Sequence, residues 1–182
     1  MGLGLVAVVA LLVIVILSSN ASAQTDCNPN TSGGNLYASD QSLTGAAITN
    51  DPSTWPGASS EYPDGPCWNI CAAIAFAEGY NEGAGYVPYD LNNPGDISDG
   101  AATFGSALHS GSQVTTFPTA ETGWQYLYSK VEAWRNGTSA VYAGKTWAQV
   151  ATIYAGNSAA WLNNVTTYLG VDPTSTPTEY QG

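Results

Sequence analysis

Apolar residues recur at steps of three and four along four segments of the chain, which is the spacing of an amphipathic or buried helix. Pro66, favoured in a first turn, opens the most apolar of these segments outside the N-terminus. Thr146 and Gln149 have the spacing of a capping box at the start of another. The pattern therefore predicts helices over residues 66–79, 119–136, 146–154 and 158–169.

The stretch between the first two helices has a different character. Residues 79–118 are rich in Gly, Asn, Asp and Pro, which favour turns, and only residues 112–117 resemble a short strand. Four helices interrupted by such a lobe predict an α+β, mostly helical domain with a helical core and a small loop/β lobe. We expect a cleft where the lobe meets the helices.

The N-terminal residues predict export. An apolar run from Leu3 to Leu17 precedes Ala21-Ser22-Ala23, the small-x-small pattern of a cleavage site, so residues 1–23 read as a signal peptide. The run is short of the roughly 20 apolar residues that span a membrane, and we expect no stable span after cleavage. The mature chain is expected to be extracellular or periplasmic, with an irregular extension at 24–65, the domain at 66–171 and a tail at 172–182.

Charge narrows the choice of partners. Fourteen acidic residues against three basic ones give a net charge of −11, and no basic patch could follow a phosphate backbone. Nucleic acid is therefore not expected as a partner. Such a surface repels anionic polymers and suits a neutral or cationic substrate.

Three cysteines, Cys27, Cys67 and Cys71, predict one disulfide outside the cell. The simplest pairing joins Cys27 to either Cys67 or Cys71. The chain has a single histidine, His109, which we expect in a solvated loop. With so few ligands, neither a metal site nor a cofactor is expected.

Glu78 is the first candidate for chemistry. Steps of four, three and seven back from it reach Ile74, Ala75 and Cys71, so it shares the stripe that should face the core. Burial and the negative end of the helix dipole should both raise its pKa and keep it protonated near neutral pH. A general acid for glycosidic bond cleavage needs this property. The alternative is an ordinary solvated acid at a helix end.

Aromatic residues divide into two groups. Tyr80, Tyr86 and Tyr89 follow Glu78 in turn-forming sequence and could offer ring faces and hydroxyls to sugars, as could Trp55 and Tyr62. The tryptophans on the helical stripes are expected in the core; these are Trp124, Trp134, Trp147 and Trp161.

Three motifs in order carry a family resemblance: Ala75-Phe76-Ala77-Glu78-Gly79-Tyr80, residues 92–97 (Asn-Asn-Pro-Gly-Asp-Ile) and residues 117–124 (Phe-Pro-Thr-Ala-Glu-Thr-Gly-Trp). Together they resemble the lysozyme-like domains of bacteria and phages that are grouped with lytic transglycosylases, over residues 66–171. The resemblance implies a lysozyme-like fold with Glu78 as catalytic acid. It also implies that Asn92, Asn93 and Asp96 line the cleft.

The mechanism turns on a second carboxylate. A retaining hydrolase places one about 5 Å from the acid and an inverting one about 6.5 to 9.5 Å away, whereas a transglycosylase can act without it. Asp90, Asp96 and Asp99 lie in the lobe, and we select Asp96. If none faces Glu78, the resemblance implies transglycosylase chemistry and an anhydro-sugar product.

The sequence thus predicts a secreted enzyme that cleaves the β-1,4 bond of peptidoglycan, with Glu78 as general acid and Asp96 as second catalytic residue. Its predicted partner is a polysaccharide, bound by Tyr80, Tyr86, Tyr89, Asn92 and Asn93. One alternative is a non-catalytic, secreted glycan-binding or structural surface protein that retains the fold. A further alternative is a chitosan or chitin hydrolase, whose cationic polymer an acidic cleft would attract.

Overall fold

A computed structural model describes residues 52–58, 65–109 and 111–182. The predicted signal peptide, its cleavage site, Cys27 and Tyr62 lie outside these ranges. The described chain forms an α+β, mostly helical structure with one two-stranded sheet, as the sequence predicts. Its elements, besides short 3-10 turns at Pro52–Thr54 and Tyr80–Glu82, are α1 (Pro66–Ala77), α2 (Val87–Asp90), α3 (Ala101–Phe104), β1 (Ser106–His109), β2 (Ser112–Thr115), α4 (Ala120–Arg135), α5 (Trp147–Tyr154) and α6 (Ala159–Leu169).

Helix α1 is the centre of the core. Every residue from Pro66 to Ala75 is buried, because α4 and α6 pack against the helix and its many alanines let them approach closely. A helix that is apolar on all faces belongs in such a position. Because every face of α1 is buried, sharing a stripe with Ile74 and Cys71 does not by itself distinguish Glu78 from residues on other faces. Glu78 lies where this buried helix ends.

The later helices begin and end where their capping residues predict. Thr119, Thr146 and Ser158 each precede a helix and accept a hydrogen bond from the backbone N–H three residues on. The capping box at Thr146 is complete, since the Gln149 side-chain oxygen accepts a hydrogen bond from the Thr146 backbone N–H at 3.1 Å. Gly170 closes α6 in the left-handed conformation. The three predicted helices are confirmed.

The lobe contains a hairpin of which the sequence revealed only the second strand. Strands β1 and β2 pair antiparallel, with Ser106 opposite Thr115 and His109 opposite Ser112. The expectation that His109 lies in a solvated loop is wrong, because it is a half-buried strand residue. The backbone N–H of Thr115 binds the carbonyl of Ile97 at 2.9 Å, which attaches the hairpin to the loop after α2.

Gly123 allows α4 to lie against that same loop. A Cβ atom at this position would lie 1.9 Å from the carbonyl oxygen of Asn92 and 2.9 Å from the ring of Pro94. Any side chain would therefore push the helix and the loop apart. The glycine explains why the second and third sequence motifs belong together in space.

Trp55 belongs to the core rather than to a sugar-binding surface. Trp55 is only 7% exposed and stacks on Trp124 with ring centroids 6.0 Å apart. The carbonyl of Pro56 accepts hydrogen bonds from Trp124 Nε1 at 3.0 Å and from the Tyr80 hydroxyl at 2.8 Å. The prediction that Trp55 stacks on sugars is therefore wrong, because packing against two other rings uses its faces.

The C-terminal tail is also packed against the domain. The buried guanidinium of Arg135 donates to the carbonyls of Pro177 and Tyr180 at 2.7 and 2.6 Å. Tyr180 in turn accepts a bond from the Asn69 side chain of α1. Among the helices of the described ranges, none combines the length and apolar character needed to cross a bilayer.

Candidate active site

Glu78 caps the C-terminal end of α1 and is held there by α6. Its backbone N–H still bonds to the carbonyl of Ile74, so the side chain leaves the helix in a fixed direction. The indole Nε1–H of Trp161, a residue only 3% exposed, donates to Glu78 Oε1 at 2.7 Å. The carboxyl is half-buried with one oxygen already occupied by the protein.

The surroundings of Glu78 favour its neutral form. Burial is the main cause and the nearby charge of Asp96 adds to it, raising the pKa of Glu78 from 4.5 to about 8, while the Trp161 hydrogen bond acts in the opposite direction. Glu78 therefore holds its proton near neutral pH, as the sequence predicts. An acid in this state can donate a proton to a leaving group.

Asn93 shapes the loop that presents Asp96. Its Nδ2 donates to the carbonyls of Ile97 and Thr115 at 2.8 and 2.9 Å, and its Oδ1 accepts from the Ile97 N–H at 2.9 Å. The side chain is fully buried, so it does not line a cleft as the resemblance implies. Its role in the structure is to join the loop to β2.

Asp96 faces the same site as Glu78. It adopts a left-handed backbone conformation with φ 45°, which Asp tolerates better than most residues. Burial raises its pKa, whereas the charge of His109 lowers it. Its Oδ1 is buried and has no hydrogen-bond partner within the described structure. The two carboxyl groups selected from the sequence are thus brought into electrostatic contact, with Asp96 keeping one acceptor unused.

Tyr154 connects the loop that presents Asp96 to the tryptophan that holds Glu78. Its hydroxyl donates to the carbonyl of Gly95, and its ring packs on Trp161 with centroids 5.3 Å apart. Burial raises the pKa of Tyr154 well above its usual value, and the charge of Glu78 adds to the effect. The tyrosine is therefore a neutral donor that fixes the backbone just before Asp96.

The other two acids considered in the lobe have different partners. Asp90 accepts from the Gly85 N–H at 3.1 and 3.2 Å and so closes a turn. Asp99 forms an ion pair with Lys130 and accepts from the Tyr126 hydroxyl. Asp96 is the lobe carboxylate whose charge raises the pKa of Glu78. Within the described part of the chain, no group of three or more His, Cys, Asp or Glu side chains could hold a metal ion.

Only some of the residues predicted to bind substrate are exposed enough to do so. Tyr80 is 2% exposed and gives its hydroxyl to Pro56, so in this structure it is a core residue. Tyr89 is half-buried and packs on Tyr80 at 5.5 Å, and the Asn92 amide donates to the Phe117 carbonyl at 3.1 Å. Tyr86, half exposed, is the member of the predicted set that remains open to a ligand.

Sequence reasoning did not find Trp161 or Tyr154 as site residues. Both fall on helical stripes, and the spacing shows that they are buried but not where their polar atoms point. The one available signal is general: buried indole N–H and phenol O–H groups need partners, and an acid at a helix end can provide one.

Comparisons of the chain with protein-family models, with curated protein sequences and with solved structures give no match. The resemblance to lysozyme-like domains therefore stays a prediction from the three motifs. Function is inferred below from the side chains of the site and their geometry.

Proposed function

We propose that the chain is a secreted glycan-cleaving enzyme that acts on the β-1,4 bond of peptidoglycan, with Glu78 as general acid. The observation that carries the proposal is the meeting of Glu78 and Asp96 in one half-buried site, where the Trp161 indole holds the Glu78 carboxyl at 2.7 Å. Paired carboxyl groups whose environments differ are the usual machinery for glycoside cleavage.

In the proposed reaction Glu78 donates its proton from Oε2. Support comes from Oε1, which accepts the Trp161 indole N–H at 2.7 Å and so leaves Oε2 to carry the proton. Transfer of this proton to the glycosidic oxygen breaks the bond to the anomeric carbon and leaves Glu78 as a carboxylate. Trp161 then stabilises that carboxylate, since hydrogen bonds to the charged form favour it. Asp96, with its unpaired Oδ1, supports the positive charge that develops on the sugar ring or activates a water.

Fold-level features support a lysozyme-like architecture as part of the proposal. A central buried helix ends in the candidate acid, and the following lobe contains the Asn-Asn-Pro-Gly-Asp loop and a small hairpin. Gly123 of the third motif packs α4 against Asn92 of the second. The motifs quoted for the resemblance thus contact one another, since Gly123 lies against Asn92 and Trp124 packs on Tyr80 with ring centroids 5.5 Å apart.

Two alternatives each have an observation in their favour. Glu78 is half-buried and does not line a pocket of about 140 Å³ that lies beside Asp96, which suits a non-catalytic glycan-binding or structural surface protein. The net charge of −11 suits a chitosan hydrolase, because a cationic polymer is attracted to an acidic protein.

The experiment is turnover of peptidoglycan, chitin and chitosan by the secreted chain across about pH 3 to 8, a range that brackets the relevant carboxyl titrations. Glu78→Gln and Asp96→Asn are the test variants, and Glu82→Gln, an exposed acid four residues from Glu78, is the matched control. We expect the Glu78 variant to lose activity while the control keeps it. Mass spectrometry of the products separates reducing from anhydro ends, and so hydrolysis from transglycosylation.

Each substrate outcome chooses between the candidates. Cleavage of chitosan alone would replace peptidoglycan by the cationic polymer. A folded wild-type chain without activity on any of the three polymers would overturn the enzymatic proposal and leave the surface-protein alternative.

A further inference from the structure

A pocket of about 140 Å³ adjoins the carboxylate pair on the side of α4 and α5. Asp96 and Tyr154 belong to both the pocket and the site described above. The rest of the wall includes the aromatic residues Trp134 and Tyr142 and the charged residues Asp99 and Lys130. Trp134 lies 4.6 Å from Tyr142 and 5.7 Å from Tyr154 between ring centroids, and Asp99 faces Lys130 in an ion pair.

Two polar atoms of this wall have no hydrogen-bond partner. Trp134 is only 2% exposed, yet its indole Nε1–H has no hydrogen-bond partner. Asp96 Oδ1 is likewise buried and unpaired. A buried donor or acceptor that is left unsatisfied loses the hydrogen bond it would make to water, so such atoms call for an explanation such as a ligand.

The pair defines the chemistry that would satisfy it. Trp134 can only donate and a carboxylate can only accept, and a hydroxyl group is able to accept from the first while donating to the second. The pocket is also much larger than the roughly 10 to 15 Å³ that one water needs, and its aromatic faces suit the apolar face of a ring. We propose that the pocket is a saccharide subsite that binds one neutral pyranose ring, with ring hydroxyls between Trp134 and Asp96 and the apolar ring face against Tyr142.

The charges of the pocket favour a neutral sugar over a cationic amino sugar. Lys130 already neutralises Asp99 through their ion pair. The raised pKa of Asp96 means that this group carries less charge in mildly acidic solution. Among the described residues of this wall, the only unpaired carboxyl that a ring bearing a free ammonium would meet is that of Asp96, whose charged form burial disfavours, while the ammonium itself would lose hydration. The inference therefore narrows the proposed function, on which it rests, toward peptidoglycan or chitin rather than chitosan.

The test is a titration of the ¹⁵N-labelled chain with N-acetylglucosamine, followed through the indole N–H signals in NMR spectra. We expect the Trp134 indole N–H signal to move at millimolar N-acetylglucosamine, because a hydrogen bond to a sugar hydroxyl changes the chemical shift of this proton. Glucosamine should produce a much smaller shift. Trp147 is the internal control: its indole N–H is also buried and unpaired, but it does not line the pocket. A Trp134 signal that stays in place, or that moves no more than the Trp147 signal, would overturn the proposal.

A variant pair repeats the test by affinity. Trp134→Phe removes the donor and keeps a ring, and we expect it to weaken N-acetylglucosamine binding at least fivefold, whereas Trp147→Phe leaves it unchanged. Should Trp134→Phe not fold, the wild-type titration decides alone. Sugar binding without cleavage of any polymer would retain this subsite and remove the enzymatic function. Polymer cleavage without a shift of the Trp134 signal on addition of sugar would retain the enzymatic function and overturn this subsite.

Discussion

Trp161 and Glu78 lie 83 positions apart in the sequence and meet through one hydrogen bond of 2.7 Å. The bond connects the end of the central helix α1 to the first turn of α6. Because Trp161 is 3% exposed, the indole cannot rotate away without disturbing the core. The acid is thus positioned by the same packing that stabilises the fold.

Removal of this donor should change the acidity of Glu78. In Trp161→Phe the carboxylate loses a hydrogen bond that lowers its pKa, while burial remains, so we expect the pKa to rise above its value of about 8. The measurement is the pH titration of the Glu78 side-chain carboxyl signal in ¹³C NMR spectra. Trp147→Phe removes an indole whose N–H has no hydrogen-bond partner, so this control should leave the pKa of Glu78 unchanged. An unchanged or lower pKa in Trp161→Phe would contradict the assigned role.

Stability should fall as the pH rises through the titration of Glu78. The carboxyl has an ordinary pKa of 4.5 but one of about 8 in the folded chain. Between these values the folded state keeps a proton that the unfolded state has released, so folding becomes less favourable with rising pH, by roughly a few kcal/mol in total. The raised pKa of Asp96 acts in the same direction.

Urea unfolding across this pH window provides the check. The stabilisation from Glu78 is fully present below about pH 4.5, and it is lost by the time the pH passes about 8. In Glu78→Gln the decline should become shallower, with only the contribution of Asp96 remaining. Parallel pH profiles for wild type and variant would show that Glu78 does not titrate as described.

Local rules predict the four longer helices of this chain but not the short elements inside the lobe. Thr119, Thr146 and Ser158 are capping residues followed by apolar residues at helical spacing, and these signals depend only on neighbours in the sequence. Strand β1 has no such signal: Ser106 to His109 alternates only weakly and exposes Leu108, so its pairing with β2 is a tertiary outcome.

Gly123 offers a test in which the sign of the effect is informative. Replacing a glycine inside a helix by alanine usually stabilises it by up to about 1 kcal/mol. Here the new Cβ would lie 1.9 Å from the Asn92 carbonyl oxygen, so Gly123→Ala should destabilise the chain by about 2 kcal/mol or more. The melting temperature measured by circular dichroism checks this. A stabilised variant would mean that α4 does not approach the loop so closely.

The site itself is predictable only in part, for the same physical reason. Glu78 could be found because its chemistry and its position at a helix end are both local. The aromatic neighbours Trp161 and Tyr154 could not, since which polar group meets a buried indole is set by how helices pack. The resemblance implies that Asn93 lines the cleft, yet the three hydrogen bonds of its side chain turn it inward.

Cys71 should be an unreactive thiol in the folded chain. It is completely buried on α1 and free, and burial raises the pKa of its thiol well above the usual value. Because the thiolate is the reactive form, we expect no labelling by a disulfide reagent such as Ellman's reagent under native conditions.

Unfolding without reduction should then expose one reactive thiol per chain. Since Cys71 is free, a disulfide within the chain would have to use Cys67 and Cys27, the latter outside the described residues. Peptide mapping under non-reducing conditions should therefore identify a Cys27–Cys67 link, and that pairing stays a prediction until it is mapped. Rapid labelling of the native chain would contradict the burial of Cys71, and three reactive thiols after unfolding would show that the bridge does not form.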